Sequence, residues 1–410
     1  MNLNTLLKKF TTEMIKIIKK VLKRFLQILV LLLIAVNLFV ILSGRFYLYK
    51  GIYNTYLHGR SGPSIYDRDA FSFKTLKKSD NLYKWIEKGN QLTLSADDEK
   101  FIKNLKGSSF LVFKNDTLVF EKYWNGHQKN SVSNSFSAAK TFVSLLIGIA
   151  VGEGKIKSLD EKVSVFIPEF KEKGKNKITI RHLLMMSSGL DWEESGKNPL
   201  SENAESYYGT DLYGLVTRQK SIEEPGKRFN YQSGNSQILG FIIEKATGKG
   251  LSEYAYEKIW SQIGTEHDAY WTLDKENGNE KAFCCLYGTS RDFARLGKLI
   301  LQNGKWNEKQ IVPANFMKEL IQNPAMKTDE GIKNYRYGLH IWTYFGEENP
   351  VYYCRGILGQ YIITIPNENL IIVRTGEERM KNIVKNINPF KIGHPGDLFR
   401  YISIGKKMVK

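Results

Sequence analysis

Three cysteines in 410 residues leave little room for a disulfide framework. Cys284 and Cys285 are adjacent, and neighbours in sequence rarely bridge each other, while Cys354 stands apart. Buried free thiols are the expectation, with a bridge from Cys354 to one of the pair as the other arrangement. There is no C-x-x-C pair, and His58, His127, His182, His267, His340 and His394 are dispersed without metal-ligand spacing. No metal centre and no cofactor are therefore expected. The chain also lacks internal repeats, which excludes a solenoid array. Its net charge of +18 is spread as lysines among acidic residues, with no basic stripe interleaved with aromatics, so a nucleic-acid platform is not expected.

One long run lacks charge altogether. Residues 25–42, from Phe25 to Leu42, are apolar over a length just sufficient to cross a bilayer core of about 30 Å. Lys8, Lys9, Lys16, Lys19, Lys20, Lys23 and Arg24 precede the run, whereas only Arg45 and Lys50 follow closely. This bias predicts a single-pass protein with a cytoplasmic N-terminus and the remainder outside. A cleavable signal peptide is the competing expectation, disfavoured by the long core and by the lack of a small-x-small site after it.

Ser137-Ala138-Ala139-Lys140 opens a second apolar stretch, Thr141 to Val151, which is hydrophobic almost all round and reads as a helix buried in a core. A serine hydroxyl is a poor nucleophile at neutral pH and needs a base within hydrogen-bond reach. Residues three apart on a helix lie on one face, roughly 5–6 Å apart at Cβ, so a lysine amine can fold back onto the serine oxygen. Burial favours the uncharged amine that this task requires. Ser137 at the helix N-terminus would also place backbone N–H groups near a developing oxyanion. A second S-x-x-K, Ser403 to Lys406 in the basic C-terminal tail, contains a glycine, has no apolar helix behind it and reads as chance.

The order of further segments resembles the serine β-lactamase-related hydrolases, the branch holding class C β-lactamases, D-alanyl-D-alanine carboxypeptidases, esterases and 6-aminohexanoate-dimer hydrolases. A hairpin expected over Ser108–Glu121 with an Asn115-Asp116 turn precedes the nucleophile, and Ile178 to Leu190 follows it as the thread toward a helical lobe. Tyr231-Gln232-Ser233 stands where the family carries Tyr-x-Asn. The resemblance makes Tyr231 the third catalytic residue beside Ser137 and Lys140, a phenol relaying a proton between serine and leaving group. Cys354-Arg355-Gly356 occupies the place of Lys-Thr-Gly. Gly356 would let substrate approach the backbone, and the N–H of Ile357 would join that of Ser137 as oxyanion donors.

The fold so implied is α+β (α/β in the broad sense) and β-lactamase/transpeptidase-like, an antiparallel sheet flanked by helices with an all-helical lobe over about 179–273. The expected organisation is a basic segment 1–24, a transmembrane helix 25–42, a spacer 43–80 and a hydrolase domain 81–405. Helices are expected near Leu82–Ile86, Asp97–Ile102, Gln237–Lys245 and Ser290–Ile300, and strands near Tyr337–Thr343 and Leu370–Thr375. Substrate contacts fall on Ser233, Arg355 and Gly356; His267 and Trp271 either line the cleft or serve as core or surface residues. The implied function is acyl-enzyme hydrolysis of a small-molecule ester, amide or peptide, by a protein held in the membrane through residues 25–42. A β-lactamase, a D-alanyl-D-alanine carboxypeptidase or a non-catalytic penicillin-binding-like sensor of cell-wall peptide are the alternatives. Ser233 and Cys354-Arg355-Gly356 depart from the β-lactamase pattern together, although Arg355 could receive a carboxylate in place of the missing lysine. Nothing in the sequence sets the oligomeric state.

Overall fold

The computed structural model describes residues 3–409 apart from 89–91, 347–348, 382 and 385–389. Met1 and Asn2 of the basic segment lie outside them. Helix α1 (Leu3–Ser43) carries the apolar run, has Val40 as its one buried residue, and is long and apolar enough to cross a membrane. After Gly44, in the left-handed region, α2 (Tyr47–Asn54) turns back onto the folded body. The stretch expected as a spacer thus contains α2 and also β1 (Phe73–Leu76), which is paired into a sheet.

β-Branched and aromatic-rich segments, the central ones buried on both faces, build a seven-stranded sheet. It contains β2 (Ile86–Glu87), β3 (Gly107–Lys114), β4 (Thr117–Tyr123), β12 (Trp342–Tyr344), β13 (Val351–Gly356), β14 (Gln360–Ile365) and β15 (Leu370–Gly376). Their spatial order is β12-β13-β14-β15-β3-β4-β2, antiparallel except for the β2–β4 edge pair. The expected hairpin is β3–β4, closed by Asn115 and Asp116 at φ +48° and +61°, the primed-turn geometry that asparagine and aspartate tolerate. Helix α3 (Ala96–Asn104) is capped by the Ser95 hydroxyl accepting from Asp98 N–H. Near Leu82–Ile86 there is no helix: the chain is extended and enters β2.

Both faces of this sheet are covered by helices. One bears α10 (Ser290–Leu301) and the other α12 (Gly396–Lys407), and a Cβ on Gly297 or Gly405 would collide with Ile371 or Ile372 of β15. The presumed tail is therefore packed structure, and Ser403 of the second S-x-x-K points to solvent on α12, away from the core.

The second lobe surrounds α4 (Ala139–Gly152), whose side chains from Ala139 to Ala150 are all buried. Complete burial of each Phe, Leu or Ile there is worth roughly 1.5–3 kcal/mol, which anchors the segment that carries Lys140. Around it lie α5 (Ile180–Leu184), α6 (Glu202–Tyr208), α7 (Leu212–Thr217), α8 (Ser233–Thr247), α9 (Leu251–Ala255) and α11 (Ala314–Leu320). A four-stranded sheet, β1-β7-β8-β5, uses β5 (Ser133–Asn134), β7 (Ala269–Thr272) and β8 (Leu286–Gly288) to tie this lobe to the chain entering α4. Two short pairs complete the fold, parallel β6 (Arg228–Phe229) with β11 (Lys327–Thr328) and antiparallel β9 (Lys305–Trp306) with β10 (Lys309–Gln310).

Candidate active site

Ser137 sits in a single 3₁₀ turn, Phe136–Ala138, immediately before α4. Phe136 holds φ +46°, an unusual conformation for a bulky residue and one that persists only where the surroundings enforce it. The enforcing group is Asn134: its Oδ1 accepts from Phe136 N–H (2.8 Å) and its Nδ2 donates to the Tyr287 hydroxyl (3.1 Å). The sharp turn presents the serine at the floor of a cavity of about 200 Å³.

Lys140 follows one turn later and is buried. Its Nζ donates to the carbonyl of Phe283 (2.6 Å) and to Ser233 Oγ (3.0 Å), and lies 3.2 Å from Ser137 Oγ. Charged, the amine has three acceptors for three protons. Neutral, it keeps two of them and turns a lone pair toward the serine hydroxyl. Burial lowers its pKa to about 8, and the Glu194 carboxylate opposes that fall.

Tyr231 lies in the turn between β6 and α8. Asn230 N–H donates to Met186 O (2.8 Å), and Gln232 Nε2 donates to Leu190 O (2.7 Å), which pins the turn on both sides. The ring stacks on Trp342 at 5.7 Å and meets Tyr337 edge-on at 5.9 Å; Lys140 Nζ lies 5.4 Å from its centroid. Burial and the Glu194 charge push the phenol above its ordinary value, so it stays protonated at neutral pH.

Ser233 lines the same cavity, but its polar atoms are already engaged. Its hydroxyl donates to Glu194 Oε1 (2.6 Å) while accepting from Lys140, and its N–H donates to Glu194 Oε2 (2.7 Å). Glu194 is also held by the Trp192 indole N–H (2.8 Å). Sequence reasoning missed this carboxylate: it sits in an irregular loop far from either motif, and no spacing rule marks it. The result is a chain of hydrogen bonds, Lys140–Ser233–Glu194, in place of an asparagine amide.

Gly356 ends β13 with its backbone pressed against the turn that carries Ser137, and a Cβ there would collide with Ser135 O. That contact brings Ile357 to the cavity beside Ser137. Arg355 is directed elsewhere: its guanidinium stacks on Trp342 at 3.8 Å, within electrostatic reach of Tyr231.

His267 and Trp271 do not line the cavity. Trp271 is wholly buried on β7, its indole donating to Lys281 O and Cys284 O (both 3.0 Å), and so braces from behind the loop whose Phe283 carbonyl holds Lys140. His267 faces Asp292, its backbone N–H donating to Asp292 Oδ2 at 3.2 Å, in the ionic cluster at the start of α10. The cysteines also differ from expectation. Cys284 and Cys285 are joined to each other, Cys285 lying in the left-handed region, while Cys354 is buried and free. Among the described residues no group of three or more His, Cys, Asp or Glu is arranged to hold a metal ion.

Fold and site meet in one class. Residues 94–376 match the beta-lactamase family model, more than half of the chain, and the chain belongs to that family. It is a serine hydrolase. Among curated proteins it is similar to the 6-aminohexanoate-dimer hydrolase of Paenarthrobacter ureafaciens, 24% identical over 301 residues that cover 69% of this chain and 75% of that one. It is similar also to the teichoic acid D-alanine hydrolase of Staphylococcus aureus, 25% identical over 323 residues, 70% and 76% of the two chains. The fold is shared with a Bacillus anthracis protein provisionally named a 6-aminohexanoate-dimer hydrolase, with a TM-score of 0.68 at 24% identity over 84% of this chain and 91% of that one.

Proposed function

We propose that the chain is a membrane-anchored hydrolase that opens an ester or linear amide through an acyl-enzyme on Ser137. The observation that carries this reading is the 3.2 Å approach of the buried Lys140 amine to Ser137 Oγ at the cavity floor. In the first half-reaction neutral Lys140 takes the hydroxyl proton as Oγ bonds to the carbonyl carbon. Backbone N–H groups of Ser137 and Ile357 receive the oxyanion. Tyr231, protonated, gives its proton to the departing alcohol or amine and is reprotonated from Lys140. Water then cleaves the acyl–Oγ bond, and Ser137 regains its proton as the acid leaves. Glu194, through Ser233, orients the lysine and tunes its basicity.

The substrate ranking rests on Ser233. Ser233, the group expected to grip a β-lactam's amide, is here committed to Glu194, while Arg355 stacks on Trp342 and keeps a buried Nη1 without a hydrogen-bond partner. A polar substrate group left unpaired costs roughly 1–3 kcal/mol, so the loss at Ser233 alone is worth on the order of 10- to 10²-fold. We expect kcat/KM for p-nitrophenyl esters or linear amides, 6-aminohexanoate oligomers first, to exceed that for nitrocefin by at least tenfold. Nitrocefin turnover equal to or above the esters would return the protein to the β-lactamases proper.

The anchor is α1. Its cationic N-terminal half and apolar C-terminal half support a cytoplasmic N-terminus with the hydrolase outside. A reporter fused to the C-terminus should be active only on the outer face, and the intact chain should stay in the membrane fraction through a high-salt wash. A shortened soluble form would identify a cleaved signal instead.

A further inference from the structure

We infer that the substrate carries a long hydrocarbon chain and enters the site from the bilayer; this rests on the acyl-enzyme and membrane-anchor readings above. Ser137 shares the lining of the cavity with α2, through Leu48, Gly51 and Ile52. Phe136, Tyr207, Tyr208 and Phe283 make much of that lining apolar and aromatic, beside the polar Glu194, Lys197 and Asn198. Space of this kind beside a nucleophile fits an acyl chain better than a short polar peptide.

The position of α2 ties the cavity to the membrane. Only Gly44, Arg45 and Phe46 separate it from α1, and so short a link reaches about 14 Å at full extension. When α1 spans the bilayer, α2 must lie at the headgroup level. The outer side of α2 and its flanks suits that depth: Phe46, Tyr49, Tyr53 and Leu57 are exposed, a largely aromatic set of the sort enriched at membrane–water interfaces. The helix is not a loose appendage. Arg45 Nη1 donates to Leu200 O (2.7 Å), the Tyr47 hydroxyl donates to Pro199 O (3.0 Å), and Gly51 lies flat against the Tyr208 ring. One helix therefore rests on the bilayer with one side and walls the catalytic cavity with the other, so a lipid ester or amide can place its carbonyl at Ser137 without its chain crossing water.

The test uses the full-length protein in phosphatidylcholine nanodiscs with p-nitrophenyl acetate, butyrate and octanoate. Each methylene moved from water into an apolar cavity is worth up to about fourfold, and we expect kcat/KM to rise at least about 30-fold from acetate to octanoate. Leu48→Trp, and independently Ile52→Trp, should lower the octanoate-to-acetate ratio at least about tenfold. p-Nitrophenyl palmitate embedded in vesicles should be cleaved when the enzyme shares its bilayer and not when enzyme and ester occupy separate vesicles. A flat chain-length profile in the unaltered protein, or a ratio untouched by both tryptophans, overturns the inference while leaving Ser137-dependent hydrolysis standing. Acetate turnover that survives Ser137→Ala instead brings down the acyl-enzyme reading beneath it.

Discussion

Replacing Ser137 with alanine is expected to abolish covalent labelling by a fluorophosphonate and turnover together, lowering kcat on the order of 10⁴-fold or more, the scale seen when a serine enzyme loses its nucleophile. The effect should be this large because no other hydroxyl among the described residues shares the geometry. Of these, Ser137 alone combines the enforced turn at Phe136, a buried amine at 3.2 Å and the floor of the cavity. Ser233 is near the same amine, yet its proton is committed to Glu194 at 2.6 Å. Ser403 has the same four-residue motif on an exposed position of α12, so Ser403→Ala should change neither labelling nor rate. Mass spectrometry of the labelled protein should find one adduct. An adduct that persists in the Ser137→Ala protein would sink the assignment.

The second large effect belongs to Lys140. Its amine must be neutral to accept the serine proton, and burial places its pKa at about 8. Below that value the amine is increasingly protonated, so kcat/KM should climb as pH rises through about 8 and level off above it. Tyr231, raised in pKa, stays protonated over this range and adds no fall near neutrality. Lys140→Met should cost on the order of 10²-fold or more in acylation and remove the rise, and Tyr231→Phe should be impaired to a similar order. Glu194 supplies a sign that a purely structural residue would not. Its negative charge raises the lysine pKa, so Glu194→Gln should move the midpoint of the profile to lower pH. A shift to higher pH, or near-normal rates in well-folded Lys140→Met and Tyr231→Phe proteins, would refute the proposed division of labour.

Ser137 and Lys140 were legible because their relation is local. Three residues on one helix fix which side chains share a face, and the apolar run after Lys140 declared the burial that depresses an amine's pKa. The β3–β4 hairpin was legible for the same reason, since Asn115-Asp116 between two short apolar runs specifies its own turn. Tyr231 was reached only through the family resemblance, because nothing along ninety-odd intervening residues links it to Ser137. The Leu82–Ile86 segment misled because a few apolar residues carry no decisive period, and pairing with β4 made its end a strand.

Local chain chemistry settles what lies within a turn or two: Ser137 beside Lys140, the buried helix beneath them, and the apolar span of α1. Tertiary structure alone decided which distant groups would complete the site. Glu194 reaches Ser233 from an irregular loop, Trp271 turns away from the cleft to brace Phe283, and α2, read as spacer, becomes a wall of the cavity. Backbone periodicity propagates over a few residues, whereas these neighbours are chosen by how two lobes bury their apolar surfaces against each other, a property of the whole chain and of no segment in it.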